Sequence, residues 1–344
     1  MSNDAAIKAK LKGMRRQLMT SEELEEQVDS RSLRSFSDYL LQHDSYQKAQ
    51  NTIKVSLDSR ENLEYLTELS YFEDFLKLYR FASLDMRKFL KAYIMTFETH
   101  VIKRIFKNLA RFHTANVSLN DFTNFLADKR HVDIGDLLLA TNVEQGVACF
   151  QNSSYSDFFE SINDHFTADN FNSYVFEFSL DQFVAKKIWQ AAKSIFSVSD
   201  LHEFKKFYGS EFDIININTI YRLKFFYHVD DNFILTSLIP EKFRLNDDNI
   251  QQLLTAGDER EFIQIAQQIG YSAIYNDDFD LSTVNQLQED YLSKLRHRIA
   301  RQHSTSLFEI INYLDDKYDE GRTIIDKVER LATAKYSSIE RSLN

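Results

Sequence analysis

An all-α fold made of three pseudo-repeated helical units is the architecture this sequence predicts, and three observations carry the prediction. The chain of 344 residues holds only seven Gly and a single Pro, Pro240. Sheet proteins and α/β enzymes need many tight turns and phosphate-facing glycine loops, which so few of these residues cannot supply. Apolar residues recur at helical spacing, three and four apart. The sequence also repeats itself. Tyr93, Phe97, Glu98, Ile102, Ile105, Phe106, Lys107 and His113 are matched without a gap by Tyr208, Phe212, Asp213, Ile217, Ile220, Tyr221, Arg222 and His228, at a constant offset of 115 positions.

A second element recurs beside the first. Leu137, Leu138 and Ala140 lead to Tyr155 as Leu253, Leu254 and Ala256 lead to Tyr271. Val28 and Tyr46 hold the first and last of these positions near the N-terminus. A third copy of the first element, around Glu320 and Ile324, is faint. The interval is too long for a solenoid of short helical hairpins, whose periods run about 20–50 residues. It predicts three units, 1–128, 129–240 and 241–344, forming a pseudo-threefold body about a central depression. Tyr46, Tyr155 and Tyr271 should then fill equivalent, buried positions. Such a body suits holding something central better than chemistry at one asymmetric cleft.

Taken in order, residues 1–20 mix basic and apolar side chains. Thr20 and Glu23 stand at capping-box spacing ahead of Leu24 and Val28. The hydroxyl can accept a forward amide and the carboxylate can reach back to the cap amide, so a helix should start there. Leu66, Leu69, Phe72, Leu76 and Tyr79 outline one apolar helix face, and Ile102, Ile105, Phe106 and Leu109 another. Asp213 to Tyr221 instead alternates apolar and polar residues and is rich in β-branched types, a strand pattern when read alone. Its in-register partner, Glu98 to Phe106, fits a helix far better. Equivalent segments of one repeat share a fold, so helix is predicted for both. Pro240 should end the second unit, because the residue before a proline avoids the α region. Loops rich in Asp, Asn and Ser are expected near 114–120, 151–156 and 274–283.

Composition narrows the function. With 43% hydrophobic residues, 29 Phe and 17 Tyr, the chain can bury a substantial core. A net charge of −11 sets the surface as a whole against nucleic acid and anionic lipid. Two basic islands interrupt it: Lys8, Lys10, Lys12, Arg15 and Arg16 near the start, and Arg296, Arg298 and Arg301 near the end. They read as solvated helix faces or as docking sites for acidic protein surfaces. Cys149 is the only cysteine, which leaves no disulfide framework and no zinc cage and fits a reducing compartment. It stands six positions before Tyr155, as Leu40 and Ile265 stand before Tyr46 and Tyr271, and reads as a core thiol. No run approaches the roughly 18 apolar residues of a membrane span, so membrane association is expected to pass through another protein.

Catalysis finds no home in these motifs. Asp315, Asp316 and Asp319 fit the DDxxD pattern with which all-α isoprenoid synthases hold magnesium on a diphosphate, since such spacing places two carboxylates on one helix face. A second acidic motif would have to face it, and Asn276-Asp277-Asp278-Phe279-Asp280 is a poor one. The recurring His113 and His228 fall in different repeat units and are expected to be structural rather than a metal pair. Lys107 and Arg222 each follow an aromatic residue beyond an acidic one, which predicts ion pairs within a unit, with contact to a partner as the other reading.

Asp213-Ile-Ile-Asn216-Ile217, running on through Ile220-Tyr221-Arg222-Leu223-Lys224 to Leu238-Ile239-Pro240 and Phe243-Arg244-Leu245, resembles the signature of the V-type ATPase central-stalk socket. In bacterial and archaeal enzymes this socket is the C-type component, and in eukaryotic ones the d-type component. Lys12-Gly-Met-Arg-Arg-Gln-Leu18, Phe75-Leu76-Lys77-Leu78-Tyr79-Arg80-Phe81 and Arg87-Lys88-Phe89-Leu90 extend the resemblance, in order, across nearly the whole chain. Glu320-Gly321-Arg322-Thr323-Ile324 follows the pattern only loosely. The resemblance implies a three-lobed, funnel-shaped helical protein on the cytoplasmic face of the membrane, peripheral to it. It would couple the proteolipid ring to the central-shaft subunits for ATP-linked transport of protons or sodium, with no nucleotide, cofactor or metal of its own. Lys8, Lys10, Lys12, Arg15, Arg16, Tyr221, Arg222 and Lys224 are the expected interface residues. The alternatives are a non-rotary helical scaffold and an isoprenoid-synthase-like enzyme using Asp315, Asp316 and Asp319.

Overall fold

The computed structural model describes residues 3–28, 32–53, 56–57, 59–115, 134–162, 171–276, 279–302 and 305–343, and all regular structure among them is helical. The chain opens with α1 (Asn3–Arg15), α2 (Ser21–Val28), α3 (Leu33–Leu40), α4 (Asp44–Ile53) and α5 (Arg60–Phe81). Next come α6 (Leu84–Tyr93), α7 (Met95–Phe112), α8 (Ile134–Leu139), α9 (Val143–Ala148), α10 (Ser156–Ile162) and α11 (Ser173–Ile195). The last are α12 (Val198–Phe225), α13 (Asp231–Thr236), α14 (Asp247–Thr255), α15 (Glu259–Ala266), α16 (Leu281–Gln302) and α17 (Ser306–Leu343), with a π turn, Gln267–Tyr271, extending α15. Two compact units emerge. One joins the residues up to Arg87 to those from Thr305 onward, and the other holds those from Lys88 to Gln302.

The first unit is organised by α5 and α17. Leu63, Leu66, Leu69, Phe72, Phe75 and Leu78 of α5 are all buried. A step of three residues turns the buried stripe back by about 60° each time, so over five steps it winds round most of the helix. For that reason the predicted face is shifted: Phe75 and Leu78 are in the core, while Leu76 and Tyr79 are only partly covered. Leu63, Leu66 and Leu69 meet Ile324 and Val328 of α17, together with Leu24, Phe36, Leu40 and Tyr46. Each fully buried Leu or Ile here stabilises the unit by about 1.5–3 kcal/mol. The predicted capping box is present at α2: Thr20 N donates to Glu23 Oε2 at 2.7 Å, and Glu23 N to Thr20 Oγ1 at 3.1 Å.

In the second unit Ile102, Ile105, Phe106 and Leu109 are buried along α7, as their spacing predicts. Phe106 lies 4.7 Å from Phe176 of α11 and 5.2 Å from Phe159 of α10, ring centre to ring centre. The strand-like stretch 213–221 lies inside α12, an unbroken helix of 28 residues. Phe212, Asp213, Ile214, Asn216, Ile217, Thr219, Ile220 and Tyr221 are all buried, so apolar groups are wanted on nearly every side. Burial on all faces erases helical amphipathicity and leaves an alternation that imitates a strand. Cys149 is buried and its thiol donates to Gln145 O at 3.1 Å. The recurring histidines are turn residues: His113 (φ 55°) caps α7 and His228 (φ 50°) follows α12, both left-handed.

Candidate functional site

Each of the three recurring tyrosines is fully buried, and each gives its hydroxyl to the recurring carboxylate of the other repeated element. Tyr155 Oη donates to Glu98 Oε2 at 2.6 Å, Tyr271 Oη to Asp213 Oδ2 at 2.6 Å, and Tyr46 Oη to Glu320 Oε1 at 2.5 Å. Glu98, Asp213 and Glu320 are themselves 2%, 0% and 5% exposed, so these are charge-assisted bonds sealed from water. Burial, and then the adjoining carboxylate, pushes all three phenols far above the usual tyrosine range. Reading the sequence finds both partners recurring but misses that they pair. A buried phenol needs an acceptor and a buried carboxylate needs donors, and that complementarity is the available signal.

Asp213 is the most heavily used of the carboxylates. Besides Tyr271 it accepts the backbone amides of Phe243 at 3.0 Å, Arg244 at 2.6 Å and Leu245 at 3.0 Å. Burial pushes its carboxyl up, against the Tyr271 hydroxyl and the three amides, which draw it down. One turn on, Asn216 closes a two-way clamp on Ile239: its Oδ1 accepts Ile239 N at 2.7 Å and its Nδ2 donates to Ile239 O at 2.9 Å. The motif residues Asp213, Asn216, Ile239-Pro240 and Phe243-Arg244-Leu245 are therefore one structural site, a helix that holds the loop leading into α14. Gly209 is required there because a Cβ would run into Phe243, whose backbone passes against α12. Gly270 (φ 111°) lets the π turn present its carbonyl to Arg244 Nη1 at 2.5 Å.

Glu320 is the counterpart in the first unit. It accepts Met19 N at 2.7 Å as well as Tyr46, and it forms a buried ion pair with Lys317. The Lys317 ammonium also lies 4.1 Å from the centre of the Tyr46 ring, a cation–π contact out of water. Met19 precedes Tyr46 by 27 positions, and Arg244 precedes Tyr271 by the same 27. The faint third copy thus performs the same task as the second, with Lys317 added.

The predicted interface residues divide between the two units, and several are engaged within their own unit. Arg15 donates to Asp316 Oδ2 at 2.8 Å and to Glu309 O at 3.3 Å, and Lys8 lies 3.8 Å from Glu309, so these two hold α1 on α17. Lys10 is half-buried, 6.0 Å from the centre of the Phe81 ring, while Lys12 and Arg16 are exposed. Tyr221 is buried and donates to Glu259 Oε2 at 2.6 Å, Arg222 is half-buried, and Lys224 donates to the Leu254 carbonyl. Lys107 pairs with Glu177 of α11 at 2.9 Å, inside the second compact unit but across the 128–129 boundary, so the pair is not within one of the repeat units the sequence predicts. Of the DDxxD carboxylates, Asp316 is the one held by Arg15. Among the described residues no three His, Cys, Asp or Glu side chains converge to hold a metal, and no helix is long and apolar enough to cross a membrane. Asp277 and Asp278 of the second acidic motif lie outside the described residues.

No curated protein matches the chain. Residues 7–326 match the family described as ATP synthase (C/AC39) subunit.

Proposed function

We propose, for a chain that belongs to the ATP synthase (C/AC39) subunit family, that it seats the central shaft of a V-type ATPase on the proteolipid ring and turns with them. Membership makes it a socket protein of the C/d type, a structural part of the rotor and not a catalytic one. The match over residues 7–326 is the observation that carries the reading, because it spans both compact units and every motif of the signature. In this reading the three repeat units, 1–128, 129–240 and 241–344, form a funnel on the cytoplasmic face of the membrane. The ring occupies one end and the shaft subunits the other, and rotation links ATP turnover to proton or sodium movement. A torque carrier has to resist deformation, and close-packed aromatic interiors are stiff.

With a net charge of −11, contact with partners relies on apolar groups and local positive charge, since like charges repel on approach. The N-terminal cluster Lys8, Lys10, Lys12, Arg15 and Arg16 and the run Tyr221, Arg222 and Lys224 are the proposed contacts. Lys12 and Arg16 are the exposed members of these clusters, and Arg222 is half-buried. The test uses membranes carrying the whole complex. Deleting the protein should detach the catalytic head or leave it hydrolysing ATP without pumping. Reversing Lys12, Arg16 and Arg222 to Glu should weaken assembly, more so at low salt. A head that stays attached and still pumps after complete deletion ends this reading.

A further inference from the structure

We infer that the repeat closes on itself, the N-terminal segment 19–46 serving as the tyrosine segment of the C-terminal helix α17, and that the three tyrosines are positioning residues for torque transmission. In the second unit the order is always carboxylate first and tyrosine later, by 57 positions from Glu98 to Tyr155 and by 58 from Asp213 to Tyr271. Glu320 breaks that order by taking Tyr46, 274 positions before it. The geometry is nevertheless the same. The amide bonded to Glu320, that of Met19, stands 27 positions before its tyrosine, as the amide of Arg244 bonded to Asp213 stands before Tyr271. A further bond ties the same segments, from Lys317 to Ser45 Oγ at 3.4 Å, and just ahead of them Arg15 bonds Asp316 of α17. The first compact unit is what this closure predicts, since it joins the residues up to Arg87 to those from Thr305 onward.

The mechanical part rests on the rotor reading. A helix that delivers torque is useful only if the segment packed on it moves with it. Apolar contacts resist separation but allow sliding, because they have no preferred direction. A buried hydroxyl on a carboxylate has a fixed direction and finds no replacement acceptor if it slips. Each of the three bonds pins one tyrosine segment to its carboxylate helix at a single register.

The experiment uses the full-length protein, free and assembled, with Tyr46→Phe, Tyr155→Phe and Tyr271→Phe. Each keeps the ring and removes only the hydroxyl. Hydrogen exchange on the free protein tests closure: Tyr46→Phe should speed exchange about tenfold at Met19 and also at residues 316–324 of α17, leaving 95–101 and 210–216 unchanged. If Tyr46→Phe folds poorly, Glu320→Gln, which weakens the bond by removing its charge while keeping the ring and hydroxyl, serves for the same measurement. A change confined to 19–53, with 316–324 unaffected, overturns the closure. In assembled membranes the phenylalanine variants should keep the head attached and hydrolyse ATP, yet move at least twofold fewer ions per ATP. Unchanged coupling in all three, in membranes where the unsubstituted protein assembles and is required, overturns the mechanical role alone. A protein that never joins the complex overturns the rotor reading instead and leaves the exchange result standing.

Discussion

Removing the Asp213 carboxylate is the sharpest stability test of the motif. In Asp213→Ala the amides of Phe243, Arg244 and Leu245 and the hydroxyl of Tyr271 all lose their acceptor at a fully buried position. At about 1 kcal/mol for each orphaned donor, the loss is about 4 kcal/mol, among the larger effects a single substitution produces. In a unit of about 200 residues that lowers the melting temperature by about 8–16 °C. The protein supplies its own reporter. Trp189, its sole tryptophan, is buried in the same unit and stacked on Phe204 at 6.1 Å. Its fluorescence therefore follows the unfolding of that unit.

A double-mutant cycle separates the clamp from a general loss of packing. Tyr271→Phe alone should cost about 1–2 kcal/mol, whereas in the Asp213→Ala background, where the hydroxyl is already orphaned, it should cost nothing and return up to about 1 kcal/mol. Tyr155→Phe removes a different bond of the same unit and should add to Asp213→Ala without coupling. An Asp213→Ala loss below about 1 kcal/mol, or a Tyr271→Phe cost equal in both backgrounds, would refute the assignment of Asp213 as the anchor of loop 243–245.

Two further expectations concern local structure. The Thr20 amide, and then the Thr20 hydroxyl, hold the Glu23 carboxyl below the usual carboxylate range. A carboxyl depressed on folding adds stability that is present above its unfolded pKa and fades as pH falls through the folded value. NMR titration of Glu23 should thus show a lowered midpoint, returned towards normal by Thr20→Ala. At His228 the left-handed backbone should matter and the imidazole should not. His228→Val is expected to cost about 1–2 kcal/mol in Trp189-monitored unfolding, while His228→Gly is expected to be tolerated, and equal losses would mean that the ring itself makes the contact.

Much of this fold was legible in the sequence because packing and repetition both leave periodic traces. Ile102, Ile105, Phe106 and Leu109 are buried where their spacing puts them, and the equivalence of 98–106 with 213–221 correctly outweighs a strand-like pattern. Equivalent tyrosines are expected in the core and are there. What does not show is which distant groups meet. Nothing local in Tyr46 points to a carboxylate 274 positions away. Charge is the other blind spot, because a lysine looks the same in sequence whether it faces water or not. Lys317 and Lys327 are 2% and 0% exposed, the latter paired with Glu25, while Lys224 is turned to a backbone carbonyl. Clusters that read from sequence as basic surface are therefore partly internal fastenings.

That distinction bears on why a protein with so large an apolar core also buries carboxylates. The phenylalanine cluster around Phe106 supplies attraction without direction, and a core of similar rings can pack in more than one register at little difference in energy. Glu98, Asp213 and Glu320 each accept a phenol at 2.5–2.6 Å, a bond that one register satisfies and a slipped one leaves broken in a dry interior. Their net contribution to stability is small beside that of the rings, since desolvating a carboxylate offsets most of what its bonds return. Their effect is on uniqueness: they raise the energy of the wrong arrangements more than they lower that of the right one. For a rotor part, the energy of the slipped arrangement is the quantity that sets resistance to slipping.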